Sequence, residues 1–554
     1  MMKIYMYFSK PSLIALPLLL FFPFFSYALS GEKLYKKYCS SCHGKNRIGK
    51  TAPPLIPEFL RKKSDKELKR IIKEGLPASQ MPPFTFFSDA QLKHLINYLR
   101  TPVKDIEFSL KEIEKSYIIL KAKPKDYEIR NLKNLTVAVD KKGKIYIFEG
   151  EHLLDKFEFK NVHGGVKFSL KNSKFYIPAR DGWIISYDYK EKRPISKVRA
   201  CIYLRNITIT PDEEKVIAGC VLPRSIVILD KDLKPLKQIK VEGRISGVYQ
   251  LSKYSSVIIA YRDTPKLSIL KEGKIKSYKI SAPLEDFFID PFEEYVIGSS
   301  RKENKLFVYR LKDFKKVFEA ALESMPHLFA VSFLYKNGKF YFVARHISGN
   351  VSIWRLYDWK LVKTISTQEK GFFVRTHFKN FHLWLDTLEP YALLINKKTY
   401  ELSEVRITEK GKFSHVEFSG DGNLAYLSVL GEGLKIVDAF TLKEIKKYPL
   451  KHPVGKYNIL LKTRKFYPAF LGYQVYMEKC WGCHHLTQEA FGPPLKWVAK
   501  NRDMGLILSQ IANPKKTFRL LGYKKNAMPK IQLSAYELIA LKNFLEVLRD
   551  GWIN

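Results

Sequence analysis

Two pentapeptides, CSSCH at Cys39 to His43 and CWGCH at Cys480 to His484, carry the most legible chemistry in the chain. Two thiols at this spacing form thioethers with the two vinyl groups of one porphyrin, and the adjacent His43 or His484 becomes the proximal iron ligand. One chance match is conceivable in 554 residues. Two matches, each inside a helical segment behind an export leader, point to two covalent haem c groups rather than to zinc or structural cysteines. The sixth ligands are recognised by position. Met81 in SQMPPF and Met528 in NAMPKI each precede a proline ahead of a final helix and are the expected axial ligands, with Met504 and His485 as rivals in the second segment. His/Met ligation raises the reduction potential and saturates the iron, so both haems are expected to carry electrons rather than bind substrate.

The elements that must hold these groups follow from the flanking pattern. Residues 31–104 read as a small all-α cytochrome c domain: helix GEKLYKKY, the haem motif, a proline-rich loop, then helices begun by Ser64 and Ser88 as N-caps. Residues 464–554 repeat that order with FLGYQVYMEK, CWGCH, a Gly-Pro-Pro loop, RDMGLILSQIA and SAYELIALKNFLEVL. Ahead of both, residues 1–30 have Lys3 and Lys10 before a short apolar run and end in Ala28-Leu29-Ser30, a secretory signal with cleavage expected before Gly31. The periplasm is the expected location, with membrane contact only through an uncleaved leader.

Residues 105–463 change character to short β-branched and aromatic runs between turns rich in Gly, Asp, Asn and Lys. Eight copies of a strand pattern begin at Lys144, Lys174, Lys215, Ser256, Tyr295, Lys339, His382 and Leu424. After the first their spacing is about 39 to 44 residues, the period of a four-stranded blade, and predicts an eight-bladed β-propeller with an axial channel as its binding site. A strand near Tyr117 to Lys121 is a candidate for closing the ring.

The apolar fraction of 46% and aromatic fraction of 14% are those of a folded chain, which excludes disorder. The net charge of +41 is spread along every segment, so it gives no nucleic-acid footprint. The remaining cysteines, Cys201 and Cys220, are expected as buried small apolar residues. A disulfide between them is the other reading.

Among the propeller histidines, His163 in VHGGVKF stands out because paired glycines let a backbone or a large flat ligand come close. His346 and His415 lie at strand ends, where a propeller presents side chains to its axis. The segments VHGGVKF with ARDGWI, LRNITITPD, PLEDFFIDP, MPHLF, RHISGNVSI, GFFVRTH, HVEFSGDG and PVGKYN resemble the cytochrome cd1 family, whose propeller holds haem d1. The resemblance implies that His163 is the axial ligand of the d1 iron and that Arg180 and Arg205 lie near its carboxylates.

The family has two branches. Its nitrite reductases set a His-Asp-Gly-Gly histidine and a Ser-His-Leu histidine over the distal face, and this chain keeps only the second, as His346. At the first it has Glu285-Asp286, similar to the periplasmic dehydrogenases that complete haem d1. The resemblance therefore implies oxidation of a propionate of dihydro-haem d1 to an acrylate, with electrons passed to haem c and His415 as base or second d1 ligand, His346 next. Nitrite reduction to nitric oxide, with Glu285 as proton donor, is the alternative enzyme. A non-catalytic haem d1 carrier or electron-transfer protein is the reading from another class. Implied partners are haem d1 or its precursor and a soluble electron-transfer cytochrome or other haem d1 assembly proteins. The second haem segment, which neither branch carries, is expected to serve as an electron exit.

Overall fold

The computed structural model describes residues 30–50, 52–61, 63–75, 81–103 and 106–553; apart from Ser30, the expected leader lies outside them. Eight antiparallel sheets ring a central axis. In each blade the middle strands are apolar on both sides, as in Leu135–Asp140 and Ser225–Asp230, because neighbouring blades cover both faces. The outermost strands are solvated and lysine-rich, as in Lys274–Lys279.

Seven blades are built from four consecutive strands. The first blade instead takes its innermost strand, Pro453–Asn458, from the far end of the propeller, paired to Leu135–Asp140 with Thr136 opposite Asn458. This pairing closes the ring. The Tyr117–Lys121 segment does not: only Ile118–Ile119 forms a strand, and it adds to the outer edge of the second blade against Lys197 and Ser196. A second correction concerns Cys201 and Cys220, which are fully buried as expected but joined in a disulfide. Strand Lys215–Leu222 carries bulges on either side of Cys220, and the resulting register brings the two Cα atoms to 6.1 Å.

Both helical modules use one packing device. Gly31 and Gly472 each lie eight residues before the first haem cysteine. A Cβ at Gly31 would meet the His94 carbonyl at 2.1 Å, and one at Gly472 the Ala540 carbonyl at 2.0 Å, so each first helix crosses its last helix at backbone contact. Four residues on, Tyr35 donates to the Gly44 carbonyl at 2.5 Å and Tyr476 to the His484 carbonyl at 2.8 Å, pinning the loop behind each CxxCH. Ser64, Ser88 and Ser534 cap their helices through their side-chain oxygens.

The modules dock on opposite faces of the propeller. Inner strands run from an upper face, where the connections between blades lie, to a lower face of tight turns. The first module meets the upper face, with Phe59 4.2 Å from Tyr203 at the head of an inner strand. The second meets the lower face of blades five to seven, where Tyr536 stacks 4.0 Å from Tyr357 and Phe470 4.8 Å from Phe378. Among the described residues no helix is long and apolar enough to cross a membrane.

Candidate functional site

Each CxxCH forms a short turn after its first helix, with His43 and His484 placed alike. Nδ1 of His43 donates to the Pro53 carbonyl at 2.7 Å and Nδ1 of His484 to the Pro493 carbonyl at 3.0 Å. A carbonyl can only accept, so the proton sits on Nδ1 and Nε2 keeps its lone pair, the tautomer and orientation an iron ligand needs. Cys39 and Cys42, like Cys480 and Cys483, are not joined in disulfides. The donor set therefore fits haem c twice.

Met81 packs against the first module's core, and Met528 lies within 3.9 Å of Gln510 Nε2. Of the rivals, Met504 starts the helix Met504–Ala512 and packs into the core shared with the propeller, while His485 stacks on Trp481. Met81→Ala and Met528→Ala are each expected to remove one Met-to-iron charge-transfer band while the pyridine haemochrome assay still counts two c haems per chain. A variant that keeps the full band excludes that methionine.

The upper mouth of the channel opens into a cavity of about 260 Å³ whose lining includes Arg205, Arg262, Arg301, Asp286, His327 and Phe329. Arg205 is fixed by its Nε, which donates to the Ser246 carbonyl at 2.7 Å, and by lying 4.4 Å over the Phe329 ring. Its guanidinium is pushed down to about 10 by burial and by Arg262. Arg180 lies 5.7 Å over Tyr203. His163 sits beside these two arginines, with Nδ1 buried and unpartnered. Burial, then Arg180 and Arg205, hold its pKa well below the usual histidine value, so the ring is neutral with a lone pair to offer.

The paired glycines after His163 have physical reasons. Both have positive φ, at 96° and 79°, and a Cβ on Gly164 would press the Arg205–Asn206 backbone at 3.1–3.2 Å. A Cβ on Gly165 would meet Tyr457 at 3.3 Å. Tyr457 and Lys456 belong to the ring-closing strand, which separates His163 from His415. On the other flank, His415 is buried with an unpartnered Nδ1 and a T-shaped contact to Phe373 at 4.7 Å. Burial, Lys456, Arg375 and Lys462 hold its pKa far down. Lys456 Nζ donates to the His415 carbonyl at 2.7 Å and to Ser428 Oγ at 2.6 Å. The residues present fit a flat ligand rich in carboxylates with a metal to coordinate.

Two other residues singled out in the sequence stand differently. His346 has both ring nitrogens engaged, Nδ1 with the Ser324 carbonyl at 2.8 Å and Nε2 with Ser352 Oγ at 2.8 Å. Glu285 lines the cavity but pairs with Arg301 at 3.0 Å. Sequence reasoning missed their neighbours. Asp286 is half-buried beside Arg205, and loss of solvation pushes its carboxyl up to about 7. His327 lines the cavity with Nδ1 anchored to the Phe372 carbonyl at 2.6 Å, which leaves Nε2 as its lone-pair nitrogen. The signal for His327 was MPHLF, a segment among those carrying the family resemblance. Nothing local marks Asp286 apart from Glu285.

Residues 130–462 match the model of the cytochrome D1 heme domain, and residues 27–99 match that of cytochrome C oxidase, cbb3-type, subunit III. A dihydro-heme d1 dehydrogenase from Pseudomonas aeruginosa is 32% identical over 460 residues, covering 77% of this chain and 93% of the relative. The solved structure of dihydro-heme d1 dehydrogenase NirN in complex with DHE superposes with a TM-score of 0.70 at 31% identity, covering 78% of this chain and 99% of that one. Neither family match extends past residue 462, where the second haem module follows.

Proposed function

Because the chain belongs to the cytochrome D1 heme domain family, we propose that it binds dihydro-haem d1 at the upper mouth of its propeller and oxidises one propionate to an acrylate. The observation that carries the reading is the cavity with its surroundings: arginines for carboxylates, and nearby two neutral histidines that each keep a buried Nδ1 without a protein partner. The covalent haems held by the two CxxCH motifs supply electron acceptors when bound.

The chain's own residues divide the remaining work. His163 coordinates the substrate's iron through its free lone pair, and His327 offers a second nitrogen from the cavity wall. Arg180 and Arg205 hold substrate carboxylates. His415 takes a proton from the propionate side chain. Alone among cations it is a weak base, but a substrate carboxylate entering that ring offsets the positive field and raises its affinity for a proton. Asp286, with its carboxyl near 7, holds or passes a proton at neutral pH. His346 braces the loop through Ser324, and Glu285 with Arg301 forms the rim. The periplasm, a soluble acceptor cytochrome and other haem d1 assembly proteins belong to the same proposal.

The deciding experiment adds dihydro-haem d1 anaerobically to the purified chain with ferric c haems. Formation of the acrylate, lighter by two hydrogens, with reduction of c haem is expected. Rapid nitrite reduction with no acrylate, or a stoichiometric complex that never turns over, overturns the reading. His163→Ala is expected to lose the tight d1 complex while both c haems stay attached, since they sit in separate modules. Unchanged d1 affinity in a spectrophotometric titration excludes His163 as the ligand.

A further inference from the structure

The two haem-binding modules sit on opposite faces, yet the d1 site opens only on the upper one. At the floor of the channel, Tyr249 and Tyr467 line a second, smaller cavity with Lys167, Lys462 and Arg464. Tyr467 begins the helix Tyr467–Lys479 that leads to Cys480. Along that helix the rings are contiguous. Centroids lie 6.2 Å apart for Tyr467–Phe470, 4.8 Å for Phe470–Phe378, 5.1 Å for Phe378–Tyr473 and 6.1 Å for Tyr473–Tyr476. Phe378 comes from a lower turn of the seventh blade and stacks on Phe470 at an interplanar angle of 6°. The file ends where Tyr476 donates to the carbonyl of His484 at 2.8 Å.

We infer that this aromatic file conducts electrons between the channel floor and the haem held by Cys480, Cys483 and His484, so that the two electrons of one dehydrogenation leave by opposite faces. The inference rests on the dehydrogenase reading for its two electrons. In each turnover two C–H bonds of the propionate break and one C=C bond forms. Two protons leave, His415 accepting the first and Asp286 passing the second to solvent, and two ferric c haems each gain one electron. Every route to the second haem crosses the height of a blade, and on the proposed one Tyr249 of the lower cavity stands 5.9 Å from Phe329 of the upper one. A six-residue strand such as Leu135–Asp140 spans roughly 20 Å at about 3.3 Å per residue. Electron transfer weakens steeply with distance, and a packed file of rings shortens each gap that the electron must cross.

Two measurements on the holo full-length chain test this, with the second haem identified against a Cys480→Ala, Cys483→Ala chain. In substrate-free protein reduced by one electron in a flash, redistribution between the c haems is expected to be slow, and at least about tenfold faster once haem d1 occupies the channel. In anaerobic single turnover, Phe378→Leu and Tyr473→Leu are each expected to slow reduction of the second haem at least about tenfold, with haem content and both reduction potentials unchanged. Tyr473→Phe, which keeps the ring, is expected to behave as the parent. Redistribution equally fast with and without haem d1, or normal second-haem reduction in both leucine variants, overturns the inference. Failure of the dehydrogenase reading looks different, because no acrylate forms and neither haem is reduced by the substrate.

Discussion

His415→Ala is expected to bind dihydro-haem d1 and to convert it at least about a hundredfold more slowly, the scale of losing a positioned base. The expectation comes from how the imidazole is held. His415 lies on the strand Lys412–Phe418, edge-on to Phe373, with Lys456 clamped to its backbone carbonyl rather than to its ring. The ring is therefore positioned without any hydrogen bond consuming its buried Nδ1. Burial drives the Lys456 pKa far down, and its hydrogen bonds to the His415 carbonyl and Ser428 Oγ contribute rigidity. His415→Gln keeps much of the volume and is expected to be nearly as slow, which separates proton transfer from packing. Single-turnover rates and equilibrium binding on the same preparations decide the matter. Loss of binding with normal turnover of the residual complex would make His415 an iron ligand instead.

How much of this was legible in the sequence depends on how local the determinant is. The helical frame of the haem modules was legible because the CxxCH turns and the Ser64 and Ser88 caps each work within a few residues. The propeller was legible because its period repeats. Its closure was not, since Thr136 pairs with Asn458 across more than half the chain while the β-like Tyr117–Lys121 segment offered an equally good local pattern. Hydrophobicity could not separate the bonded from the unbonded state of Cys201 and Cys220. Both states are buried, and only the bulged register of strand Lys215–Leu222 brings the two residues together.

The site divides along the same line. His163 was marked by Gly164 and Gly165, whose positive φ values are a local requirement. His346 and His415 gave the same strand-end signal, yet Ser324 and Ser352 engage both nitrogens of His346 while His415 keeps one buried and unpartnered. Asp286 and Glu285 are adjacent carboxylates. The difference between them arises from the backbone N–H groups of Leu328 and Phe329 in the next connection and from Arg205, which face Asp286, and from Arg301, which pairs with Glu285. Such environments are assembled from separate blades.

Glu537 links the second haem module to the lower face, and Glu537→Ala is expected to destabilise the module and its docking by about 3 kcal/mol, the cost of removing one partner from a buried ion pair. Its carboxylate is 3% exposed. It accepts from Tyr335 Oη of the propeller at 2.5 Å, from Lys479 Nζ at 2.8 Å and from the Ser534 backbone N–H at 2.6 Å. One side chain thus joins blade six, the helix before CWGCH and the cap of the last helix. The hydrogen bonds from Lys479, Tyr335 and Ser534 outweigh burial and pull its pKa from 4.5 down to about 2. Because the folded value is depressed, the stabilisation is complete above the unfolded value near 4.5 and is lost as pH falls toward 2. Chemical unfolding followed through second-haem absorbance, together with proteolysis of the bridge at residues 459–466, should show the module loosening in that acid window for the parent chain. Glu537→Ala should start from the loosened state at neutral pH and lose most of the acid dependence. An unchanged unfolding midpoint in Glu537→Ala would mean that the aromatic contacts of Tyr357 with Tyr536 and Phe378 with Phe470 hold the module without the charge network.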